Sequence, residues 1–305
     1  MGNILTKQFY RQRKDFEDSC AGRDAGLTFP EGVRCSTDIA YADDGIKAHL
    51  LDIYRPEDSQ EKILPVIINV HGGGLIIGNK EFNRYFCALL CKKGFLVYSI
   101  EYRLIPDCLI YDQLADVFMA MDYIKERLAA DGGDSSHVYM AGDSGGACLI
   151  TYANAIQNST NIARAANVTP SGLRINALGL ISGMFYTSRF DKIGLFLPKY
   201  LYGRDYKKTP FAKYVNPENR ELLNSLAPVW LVTSHNDFLR RYTTDFESGR
   251  NIIGYQRICK RQHGIHRILG RTTIATMKWE ISLLIKYQDW QYLKIGIRSH
   301  PLITN

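Results

Sequence analysis

The chain has 305 residues, of which 46% are hydrophobic and 23% charged, and a net charge of +7. This length can bury a sizeable core in one α/β domain, and the balance excludes a disordered chain. No apolar run approaches the roughly 18 residues of a membrane-spanning helix, so stable membrane insertion is not expected. The positive charge is local. Between Glu247 and Glu280 there is no acidic residue, while Arg250, Arg257, Lys260, Arg261, Arg267, Arg271 and Lys278 fall there. No interleaved aromatic and basic stripe accompanies them, so a nucleic-acid partner is not expected.

In chain order, Met1 to Asp15 is polar and carries Lys7, Arg11, Arg13 and Lys14. It lacks the apolar core and small-residue cleavage site of a secretory signal, which points to a cytoplasmic protein. Met1-Gly2-Asn3-Ile4-Leu5-Thr6 also fits the N-myristoylation pattern, but so short a match is read as chance. Residues 4–18 read as a polar-faced helix. Val33–Tyr41 and Lys47–Tyr54 read as antiparallel strands around the turn Asp43-Asp44-Gly45.

From Ile63 the pattern becomes short, almost wholly apolar runs alternating with helical stretches, as in parallel strands covered on both faces. The strands are Leu64–Val70, Phe95–Tyr102, His137–Ala141, Ile175–Ile181 and Pro228–Thr233, with helices over Tyr111–Ala130 and Ala147–Ile156. This alternation predicts a mostly parallel, doubly wound α/β sheet with an antiparallel N-terminal edge. The segment 182–226 breaks the rhythm with many aromatics and reads as a helical cap. The cysteines at 20, 35, 87, 91, 108, 148 and 259 are scattered, which suits reduced thiols and neither a disulfide framework nor a metal site.

Three patterns carry chemistry. Gly142-Asp143-Ser144-Gly145-Gly146 places G-x-S-x-G between an apolar strand and a helix, the setting of a strained turn that pushes a serine hydroxyl outward. His71-Gly72-Gly73-Gly74 follows the strand Leu64–Val70 and offers backbone N–H groups to a negatively charged oxygen. Gly72, Gly73 and Gly145 are the expected donors, with His71, Gly74 and Asp143 in support and His71 orienting the loop. Leu231-Val232-Thr233-Ser234-His235-Asn236-Asp237 is a strand ending in a polar run, and Asp237 there can orient an imidazole. The imidazole is expected from His263, with His266 as second choice; His235 reads as strand-end polarity, and His300 lies close to the C-terminal end of the sequence. The β-like run Ile253–Cys259 reads as the last strand before that pair.

Together these residues resemble the hormone-sensitive-lipase-like (bacterial family IV) esterases, whose marks are H-G-G-G, a Tyr-Arg-Leu-x-Pro segment and G-D-S-x-G-G. Here they stand as His71–Gly74, Tyr102-Arg103-Leu104-Ile105-Pro106 and Gly142–Gly146, with Asp116 on the following helix. The resemblance implies a single α/β-hydrolase domain over 1–305 with a cap from about 1–30 and 182–226. It further implies cofactor-free, metal-free hydrolysis of small, short-chain acyl esters through an acyl-enzyme on Ser144. The oligomeric state is left as monomer or dimer. The likeness fades near Ser248, where relatives present His-Gly-Phe and this chain has His263-Gly264-Ile265 in a wholly basic stretch. Natural variation and a shifted reading frame both account for that change. If the histidine is not in place, the alternative is a weakly active or non-catalytic small-ligand-binding homologue, like the gibberellin receptors.

Overall fold

The computed structural model describes residues 2–59, 62–234, 237–251, 260–262 and 265–269. Helix α1 (Gly2–Asp24) is longer than the sequence pattern suggests and buries one stripe, Phe9, Gln12 and Phe16. The antiparallel pair β1 (Val33–Ala40) and β2 (Leu50–Pro56) follows, with a bulge between Ser36 and Ile39 where Asp38 adopts a φ of +56°. Strand β3 (Leu64–Val70) leads through a 3-10 turn at Lys80–Asn83 into α2 (Arg84–Cys91), then β4 (Leu96–Ile100), α3 (Ile110–Arg127), β5 (Gly133–Asp143) and α4 (Ser144–Asn158). The sequence reading passed over α2, because eight residues are too few for a helical period to stand out.

Helix α5 (Thr160–Ala166) and β6 (Ala177–Ile181) come next. The stretch read as a cap contains no strand: it holds α6 (Lys192–Phe196), α7 (Pro198–Leu201), 3-10 turns at Tyr206–Lys208 and Pro210–Tyr214, and α8 (Arg220–Asn224). Strand β7 (Val229–Ser234), α9 (Arg240–Asn251), β8 (Lys260–Gln262) and β9 (Ile265–Leu269) complete the described elements.

The sheet has nine strands in the order β1-β2-β4-β3-β5-β6-β7-β9-β8. Strands β4, β3, β5, β6 and β7 run parallel, and β1–β2–β4 form the expected antiparallel edge. The opposite edge is antiparallel as well, through β7–β9 and β9–β8. That second antiparallel edge was not anticipated, and the expected strand Ile253–Cys259 lies outside the described residues.

Burial explains the near-continuous apolar strands. Val66, Ile68 and Val70 of β3 pack with Leu114, Val117 and Ile150 of α3 and α4, whereas Ile67 packs with Cys87 and Leu90 of α2 on the other face. Both faces of the strand are covered, so no polar alternation is permitted. Chain direction then fixes where function can sit. From β3 the chain moves one way to β4 and afterwards crosses to β5 on the other side of β3, so the order reverses between β3 and β5. At such a reversal the loops leaving adjacent strands diverge and open a crevice at their carboxyl ends. Val70 pairs with Gly142, so His71 and Asp143 leave the sheet side by side.

Two glycines permit this junction. A Cβ on Gly142 would lie 2.9 Å from the Gly146 carbonyl carbon, and one on Gly146 would lie 2.2 Å from the Val70 carbonyl oxygen. Gly146→Ala is therefore expected to destabilise the fold by about 1–3 kcal/mol, the usual cost of overpacking. Urea denaturation should show a lower midpoint with an unchanged slope.

Candidate active site

Ser144 is the first residue of α4 and has a φ of +48°, a left-handed conformation that a residue with a Cβ rarely adopts. The turn is forced because β5 ends and α4 begins without a connecting residue. Ser144 is half-buried, and among the described residues no hydrogen bond engages its hydroxyl. It also sits at the positive end of the α4 dipole, where developing negative charge is favoured.

Facing it is the loop after β3. A Cβ on Gly145 would fall 3.0 Å from the Gly74 nitrogen and 2.8 Å from the Leu75 nitrogen, so this loop touches the turn that carries Ser144. Gly73 and Gly74 have φ of +106° and +62°. Gly73 packs so tightly that a Cβ would meet the Ile77 carbonyl oxygen at 1.9 Å. Among the described residues the N–H groups of Gly73, Gly74 and Gly145 have no acceptor. Gly72 is different, and here the expectation from sequence needs correcting: its N–H donates to Asp143 Oδ1 at 3.0 Å. An amide held by a carboxylate is not free for a substrate oxygen, so Gly72 is a tether, and Gly74 moves from support to candidate donor.

Asp143 accepts a second bond from Asn83 Nδ2 at 2.9 Å. Its burial raises the carboxyl pKa, against the opposing pull of Asn83, of His71 and of the Gly72 amide. His71 is fully buried, with Nε2 at 2.8 Å from Glu101 Oε1 and Nδ1 at 2.8 Å from the Gly72 carbonyl. A carboxyl and a backbone carbonyl at the two ring nitrogens favour the protonated ring. Burial alone would lower its pKa, but the Glu101 carboxylate and the Gly72 carbonyl outweigh burial and raise it. The ring stacks on Tyr102 at 4.4 Å, and the Tyr102 hydroxyl donates to the His71 carbonyl at 2.8 Å.

Further clamps hold the same loop. Gln113 Nε2 donates to the Leu75 and Arg103 carbonyls at 3.0 and 2.8 Å. Arg103 grips buried Asp116 through Nε and Nη2. From α1, Arg13 donates to the carbonyls of Ile76, Leu104 and Ile105. Asn83, Glu101, Gln113 and Arg13 escaped the sequence reading, since each is a polar residue in an element whose pattern reports only its apolar side. The one available signal was a lone Glu at the end of a buried strand, just before Tyr102.

Asp237 lies past the end of β7. Its Oδ1 accepts the Leu239 N–H at 2.7 Å, a turn bond at the start of α9. Its Oδ2 is buried and, among the described residues, makes no bond. Burial raises this carboxyl's pKa; the nearby Ser182 hydroxyl offsets part of the shift without reaching hydrogen-bond geometry, leaving Ser182 Oγ unsatisfied as well. A desolvated carboxylate oxygen of this kind calls for a donor.

His263, His235 and His300 lie outside the described residues. His266 is described in its backbone alone, within β9 opposite Thr233, and Ile265 pairs with Ser234 at the carboxyl end of β7. The described residues thus bring together Ser144, Asp143, Gly145 and the loop 71–75, while the imidazole is not among them.

Comparison with known proteins agrees with this geometry. Residues 51–192 match the BD-FAE family. The chain is 29% identical over 184 residues to a probable isoprenylcysteine alpha-carbonyl methylesterase, ICME, of Oryza sativa subsp. japonica, covering 57% of this chain and 44% of that one. It is 32% identical over 120 residues to esterase LipQ of Mycobacterium tuberculosis, covering 39% of this chain and 28% of that one. The chain thus spans less than half the length of these curated relatives. Among solved structures, esterase B from Lactobacillus rhamnosis superposes with a TM-score of 0.76 at 22% identity, covering 83% of this chain and 81% of that one. The fold is that of an α/β-hydrolase.

The His71–Glu101 pair gives a pH signature. A histidine whose folded pKa is raised contributes stability below its unfolded pKa and loses it as pH rises through the folded value. Stability should therefore fall as pH climbs above the ordinary histidine range. Glu101→Gln should flatten that dependence and cost about 1.5–3 kcal/mol at low pH, the worth of a hydrogen bond to a charged group. Urea midpoints measured across a pH series check both.

Proposed function

We propose that the chain is a serine carboxylester hydrolase of the hormone-sensitive-lipase-like kind, acting on small, short-chain acyl esters. The observation that carries this reading is the left-handed Ser144 at the helix start, facing a glycine loop whose Gly73 and Gly74 amides have no acceptor among the described residues. The relatives named as esterases and methylesterases support the reaction class. One domain spanning 1–305, with a cap from about 1–30 and 182–226, and a cytoplasmic location belong to the same proposal.

In this scheme an imidazole from His263, or else His266, takes the Ser144 proton, and Asp237 Oδ2 accepts that ring's Nδ1–H. The serine oxygen attacks the ester carbonyl carbon. Charge that collects on the carbonyl oxygen is met by the N–H groups of Gly73, Gly74 and Gly145. Collapse expels the alcohol, which takes its proton from the imidazolium and leaves an acyl-serine. Water, deprotonated by the same imidazole, then releases the acid and restores Ser144. His71 and Asp143 do not touch the substrate: they fix the loop.

The second reading is a binding homologue with weak or no turnover, which the departure of His263-Gly264-Ile265 from the relatives' His-Gly-Phe would suit. The binding reading, however, gives no reason for a strained serine or for a buried carboxylate oxygen left open.

An organophosphonate should label wild-type protein at Ser144 and leave Ser144→Ala unlabelled, as peptide mass mapping will show; an unreactive wild type would favour the binding homologue. With a short-chain aryl ester, Ser144→Ala should lose at least about a thousandfold in kcat. Asp237→Asn should lose about four orders of magnitude in kcat, because the ring then holds the wrong tautomer. Stopped-flow burst kinetics measures both.

A further inference from the structure

The segment from Thr187 to Tyr214 contains Arg189, Lys192, Lys199, Arg204, Lys207, Lys208 and Lys213 against only Asp191 and Asp205. Within it α6 buries none of its residues. Phe190 is 92% exposed, Leu195 54% and Phe196 52%. Single exposed apolar residues are ordinary on a soluble surface, but three large ones inside seven positions form a patch.

This patch is displayed on a fixed support. Asp191 Oδ1 accepts the N–H groups of Ile193 and Gly194, each at 3.0 Å, and its other oxygen accepts the Tyr242 hydroxyl of α9. Gly194 rests against the backbone of Arg189, where a Cβ would lie 1.8 Å from the carbonyl oxygen. Arg189 itself is committed, paired with Asp245 at 2.7 Å and stacked on Tyr186 at 3.8 Å. Lys192, Arg204 and Lys207 are exposed and have no carboxylate partner among the described residues. Behind the patch, Tyr200 of α7 is held edge-on by Phe9 of α1 at 5.3 Å.

We propose that this face docks on an anionic lipid surface. Phe190, Leu195 and Phe196 enter the boundary between headgroups and acyl chains, while Lys192, Arg204 and Lys207 meet the lipid phosphates and carboxylates. Charge complementarity selects this occupant, since large apolar side chains ringed by unpaired cations fit a negatively charged layer with an apolar interior. No described helix is long and apolar enough to cross a membrane, and the docking proposed is peripheral. The Tyr242–Asp191 bond ties the patch to α9. The docking does not depend on the hydrolase reading.

Sedimentation of the full chain with phosphatidylcholine vesicles, with and without phosphatidylserine, tests it. Wild type should partition at least about tenfold more strongly onto the phosphatidylserine vesicles, and added salt should remove that advantage. Phe190→Ser with Phe196→Ser, and separately Lys192→Glu with Lys207→Glu, should each weaken partitioning about tenfold while circular dichroism stays unchanged. Equal partitioning onto both vesicle types, or full retention by both variants, overturns the proposal. So does a dimer on size exclusion that both variants abolish, since a second copy would then be what covers the patch.

Discussion

Everything around Ser144 depends on how closely two backbones approach where β3 and β5 end. The chain leaving β3 runs against the first turn of α4 with no room for side chains between them, as the 2.2 Å clash of a Cβ on Gly146 with the Val70 carbonyl shows. That proximity leaves Ser144 only a left-handed backbone, and it places the glycine loop in contact with Gly145. The strain of such a turn, of order 1–3 kcal/mol, persists only because the surrounding sheet over-determines it.

The loop is held as firmly as the turn. Its anchors are charged or amide groups on four neighbours: Asp143 at the end of β5, Asn83 before α2, Glu101 after β4 and Gln113 on α3. None of them donates toward the open crevice. They satisfy one another and leave the N–H groups of Gly73, Gly74 and Gly145 without an acceptor among the described residues, as the proposed stabilisation of a forming negative charge requires. The buried ring of His71 belongs to this set, paired with Glu101.

The strands that surround the crevice were legible because each carries a period or an apolar run, and β3 was read to the residue. Ser144 and the glycine loop were legible because glycine at fixed spacing has a steric meaning. What sequence could not show was the division of labour inside the loop. Gly72, Gly73 and Gly74 look equivalent as letters, and only the position of the Asp143 carboxylate makes one a tether and leaves the others open. The anchors Glu101 and Gln113 were hidden for a similar reason: each lies some 30 to 40 residues from its partner, with no periodic signal linking them. The antiparallel β8–β9 pair was missed because strands of three and five residues, rich in charge, do not resemble the buried runs elsewhere.

The bulge in β1 has a bearing on solubility. An outer strand offers unpaired N–H and C=O groups to any passing sheet, and a long flat one invites aggregation. Here the regular ladder breaks after Ser36, and Asp38 turns to a positive φ so that its N–H is taken by Asp52 Oδ1 at 3.0 Å. A polypeptide approaching that border meets a kinked strand bearing Arg34 and Asp38, with one of its donors already spoken for. The molecule can thus carry a large, strongly apolar sheet and still blunt this margin of it against its neighbours.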